Sequence, residues 1–78
     1  MKTMTCNQMG GACEEKFQAE TFEEMVDLSK KHGMEMFAKG DQPHLDAMHA
    51  MKKLMVSTDA MNEYFANKKR EFEATPED

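Results

Sequence analysis

The sequence predicts an α+β fold: a small N-terminal β-hairpin packed on about three α-helices. Three observations lead there. Residues 1–20 alternate apolar and polar side chains around a Gly-Gly pair. From Thr21 onward the apolar residues recur at steps of three and four. Lys39-Gly40-Asp41-Gln42-Pro43 and Ser57-Thr58 then break that run into helical segments.

In the first strand Met4 and Cys6 share one parity and Thr3 and Thr5 the other, the pattern of a strand with one face inward. Its partner is expected over Cys13–Glu20, where Cys13, Phe17 and Ala19 alternate with Glu14, Lys16, Gln18 and Glu20. Glu15 is the one charged residue on the inner side. The connection Asn7-Gln8-Met9-Gly10-Gly11-Ala12 carries two glycines that tolerate the positive φ of a tight turn. Equal parity then places Cys6 and Cys13 side by side on the inward face.

Thr21 and Glu24 are spaced as a capping box and open helix one, expected over 21–39. Its stripe runs Phe22, Met25, Val26, Leu28, Ser29, His32, Met36, Phe37, so His32 lies within the apolar face. Gly33 weakens the helix and marks either a close backbone approach or an end near His32. Gly40 suits a C-cap, Asp41 or Gln42 an N-cap, and Pro43 a first turn. Helix two is expected over 43–56 with Leu45, Met48, Met51, Leu54 and Met55 on its apolar side. Helix three, expected over 58–74, carries Met61, Tyr64, Phe65 and Phe72 and ends at Thr75-Pro76. Lys68, Lys69 and Arg70 read as a solvated face, and Thr75 to Asp78 as a frayed tail.

A chain of 78 residues reads as one domain with a small core, for which a metal, a crosslink or a partner chain is a plausible support. Its acidic residues outnumber its basic ones 15 to 10, and no basic stripe interleaved with aromatics is present, so nucleic acid is not an expected partner. No apolar run approaches the ~18 residues of a membrane span, and no signal-peptide h-region precedes Cys6. Cytoplasmic localisation and no membrane partner are the expectations. Ten methionines are many for this length. Their spacing reads first as a soft core and second as an adaptable partner surface; thioether binding of copper(I) is a third reading.

Cys6 and Cys13 are the only cysteines. In a reducing compartment such a pair is a ligand set or a redox pair more often than a disulfide. MKTMTC, GGAC-x3-F-x-A-E-T-x-E-E and the KKHG of helix one together resemble a family of uncharacterised small bacterial proteins described as predicted small metal-binding proteins. The resemblance covers roughly the first 33 residues. It implies that Cys6, Cys13 and His32 match the family's candidate ligand positions. Members often carry a second histidine five residues before the His-Gly, and here that position is Asp27.

Two thiolates on a hairpin and an imidazole on the helix behind it suit zinc or another transition metal, with an oxygen or water as fourth ligand. Asp27 is one oxygen candidate, although five residues are about 140° around an ideal helix. Glu15 and Glu24 are others. His44 and His49 share the same spacing problem and read as surface or edge histidines. Packing without a metal and thiol chemistry remain alternatives for the cysteine pair. No orienting group or oxyanion loop completes a catalytic set, so an enzyme is not expected. The competing reading is a metal-free homodimeric interaction module with a Met-rich helical face.

Overall fold

The computed structural model describes residues 1–78. It contains β1 (Lys2–Thr5), β2 (Lys16–Ala19), α1 (Phe22–Lys39), α2 (Gln42–Leu54) and α3 (Thr58–Ala74). The fold is the predicted hairpin followed by three helices. The strands are antiparallel, and Met4 faces Phe17 across the ladder. Both are buried, with Ala19 on the same side. Alternation thus sets the inner face, as a two-residue side-chain period requires.

The second strand is shorter than the sequence suggested. β2 begins at Lys16, and Cys13 lies in the connection. The cause is visible in the backbone hydrogen bonds. Cys6 N–H still donates to Glu15 C=O at 2.7 Å, but Asn7 N–H donates to Cys13 C=O at 2.9 Å, skipping Glu14. The chain between them closes on itself, with Met9 and Gly11 N–H both donating to Cys6 C=O. Gly10 takes φ 99°, a left-handed value that favours glycine.

Thr21 and Glu24 form the expected capping box on α1. The helix runs unbroken through Gly33 to a left-handed C-cap at Gly40. A Cβ at Gly33 would meet the Met48 methyl at 3.5 Å, so the glycine marks the close approach of α1 and α2. Of the α1 stripe only Met25 is fully covered; Phe37 is exposed. Asp41 caps α2, and Ser57 caps α3.

The core is small: Met4, Cys6, Met9, Phe17, Ala19, Met25 and Phe72. The end of α3 closes over β1, where the Lys2 ammonium donates to the carbonyls of Phe72 and Glu73 and lies 4.9 Å from the Phe72 ring centre. The tail expected to fray is instead tied to β1. Asp78 N–H donates to Met1 C=O at 2.8 Å, and the Thr3 hydroxyl donates to the Asp78 carboxylate. Lys68, read as part of a solvated face, donates to Gln8 C=O at 2.9 Å and anchors α3 on the hairpin connection.

Candidate metal centre

Four side chains from three parts of the fold meet at one point. Cys6 opens the connection after β1, Cys13 lies further along it, His32 lies midway along α1, and His44 is in the first turn of α2. Their ligand atoms all lie within 4.8 Å of one another. Cys6 Sγ is 3.5 Å from His44 Nε2, and Cys13 Sγ is 3.1 Å from His32 Nε2. An ion with bonds of about 2.3 Å to sulfur and 2.0–2.1 Å to nitrogen in tetrahedral array separates sulfur from nitrogen by about 3.5 Å. The donor set, two thiols and two imidazoles, is of the kind that holds zinc.

The two cysteines meet because the connection curls rather than because both sit on strands. Gly11 is essential to the curl: a Cβ there would fall on the Cys6 sulfur. Burial pushes the Cys6 thiol above its ordinary pKa, and amides of Cys13 and Ala12 that hydrogen-bond to the sulfur oppose the rise. A thiolate in this position therefore gains from an adjacent cation, which a bound metal ion supplies. The cysteines form no disulfide.

His32 stacks edge-on against Phe17 at 5.6 Å and against His44 at 5.2 Å between ring centres. These two ring contacts hold the imidazole whose Nε2 faces the Cys13 sulfur. His44 is more deeply placed, 4% exposed, and is the one buried polar residue of the chain. The Asp41 carboxylate accepts from both the backbone N–H of His44, at 3.2 Å, and its ring Nδ1, at 2.5 Å. An ionised carboxylate only accepts, so Nδ1 carries a proton, and Nε2 is the ring nitrogen that faces Cys6. One aspartate thus caps the helix and orients the His44 ring, an arrangement also used by the outer-shell partners of metal-bound histidines.

The structure brings Cys6, Cys13 and His32 together and leaves Asp27 out. α1 neither bends nor ends between Asp27 and His32, so the ideal helical offset applies and the Asp27 carboxylate stays exposed, near Gln18, Glu24 and Lys31. Glu15 and Glu24 are also exposed, and Glu24 is engaged by the capping box. His44, read as a surface or edge histidine, is the fourth member of the group. The signal was present in Asp41-Gln42-Pro43-His44: a cap aspartate and a residue three further on face each other at a helix start. His49, one turn beyond, is exposed. No helix is long and apolar enough to cross a membrane. Comparison of the chain with protein-family models, with curated proteins and with solved structures finds no match.

Proposed function

We propose that this chain is a small metal-binding protein that holds one zinc ion between Cys6, Cys13, His32 and His44. The observation that carries the reading is the convergence of four soft or borderline donor atoms within 4.8 Å. Support comes from the Asp41 hydrogen bond that orients the His44 ring. Four protein ligands close a tetrahedral site and leave no open position for substrate, which favours a holding role over catalysis. Reduced thiols suit a cytoplasmic setting. Elemental analysis of untagged protein tests the reading. The expected result is one zinc per chain, lost in Cys13→Ser and in His32→Phe, with both thiols then open to alkylation. Zinc retained by either variant with its thiols still protected would remove that residue from the site.

A second reading, self-pairing through a metal-free face, is favoured by one observation. Leu54, Val56, Met61 and Phe65 at the α2–α3 junction remain 61%, 80%, 40% and 36% exposed. Sedimentation of the chelated protein separates the two. A folded, metal-free dimer supports self-pairing, and a monomer at high micromolar concentration removes it.

A further inference from the structure

An apolar cavity of about 260 Å³ lies between α1, α2 and the hairpin connection and reaches the candidate metal centre at Cys6 and His44. Every large apolar side chain on its wall is a methionine: Met9, Met34, Met48 and Met51. Their exposure grades inward. Met34 at the mouth is 72% exposed, Met48 and Met51 are half-buried, and Met9 is 6% exposed beside Cys6 at 4%.

Two consecutive glycines bring these sulfur side chains together. A Cβ at Gly10 would meet the Met51 methyl at 2.6 Å, and one at Gly11 would fall on the Cys6 sulfur. The tip of a cavity thioether and a site thiol thus pack against adjacent backbone positions. Filling of an apolar gap accounts for volume, yet it does not require that the wall and the centre present sulfur in succession.

We propose that the cavity is a thioether-lined port through which a soft monovalent cation, copper(I), reaches Cys6 and His44. Thioethers bind copper(I) and have little affinity for zinc, whereas thiolate and imidazole accept either ion. A neutral methionine wall lets a soft cation shed water in steps, exchanging each thioether for the next until it meets a thiolate. Lys30, the one charged residue of the lining, is exposed and free to carry its ammonium into water. Copper stays in one oxidation state throughout, and the cysteines release their thiol protons on binding. The role deepens the metal-holding reading: the same four-residue site takes copper(I) from the cavity side.

The test uses isosteric replacements that remove sulfur and keep volume, Met34→Leu, Met48→Leu and Met51→Leu combined, with circular dichroism melting to confirm the fold. Uptake is followed anaerobically from the copper(I)–bicinchoninate complex and, separately, from a zinc–pyridylazoresorcinol complex. The expected result is copper(I) uptake slowed by about tenfold or more in the leucine variant, at unchanged zinc uptake, the size seen when groups around a metal site are altered. Equal copper(I) rates in the two proteins would overturn the port. Zinc uptake without copper(I) uptake by the parent would overturn the port and leave the metal centre standing. Uptake of neither ion would overturn both.

Discussion

Asp41 and His44 show how one residue can serve fold and site together. The Asp41 carboxyl is held below its ordinary pKa by its hydrogen bonds from His44. Asp41→Asn keeps a good N-cap and removes the charge. Zinc affinity should fall by about 10–100-fold at little change in melting temperature, read by chelator competition. Equal affinity would show that the Nδ1 bond does not support the site. Gly11 offers a second residue-scale test. Gly11→Ala drives a methyl into the Cys6 sulfur. The variant should lose roughly 1–3 kcal/mol of stability by denaturant titration, as overpacking does, together with metal binding. Full metal content in a stable variant would mean the connection has room that the structure denies. At this scale the sequence exposed three of the four centre residues, through thiol and imidazole chemistry. It hid His44 because His44 and His49, five residues apart, do not share a helix face and so both read as surface or edge histidines, whereas the cap residue Asp41 engages His44 at the helix start.

The elements were legible where local rules decide them. Capping signals at Thr21, at Asp41 or Gln42 and at Ser57 or Thr58 placed the helix starts, and the caps are Thr21, Asp41 and Ser57. Strand parity placed Met4, Phe17 and Ala19 inside. The extent of β2 was not legible, because Asn7 and Cys13 pair across a loop that parity extends as strand. Nor was the docking of α3, which depends on contacts far apart in sequence: Lys2 with Phe72, Lys68 with Gln8, and Tyr64 with Met9. Tyr64 reports that docking directly, since it is the only tyrosine in a chain without tryptophan. Burial raises its phenol pKa above the usual 10.0, with Glu71 adding to the rise. A raised folded-state value favours the neutral phenol. The stabilisation is full below pH 10.0 and is lost as pH rises through the folded value. Ultraviolet titration should therefore show tyrosinate forming at higher pH in the native protein than in urea. Coincident titrations would place the phenol in water and undock α3.

At the scale of the whole molecule the small core explains why a bound metal would add to stability. Seven buried apolar residues, three of them methionines, hold 78 residues. So small a core leaves little margin against chain entropy. Metal binding free energy becomes folding free energy in such domains. Removing the ion with a chelator at neutral pH should lower the melting temperature sharply and abolish cooperative melting, and zinc should restore both. A chelated protein that melts unchanged would assign the centre to packing alone. The most direct measurement is a cobalt(II) titration of the reduced, metal-free protein, because cobalt reports ligand type and geometry by absorption. The account predicts the intense visible bands of tetrahedral cobalt with a thiolate-to-metal charge-transfer band, saturating at one ion per chain and absent in His44→Phe and Cys13→Ser. A weak octahedral spectrum, or tetrahedral bands that persist without His44 and Cys13, would contradict it.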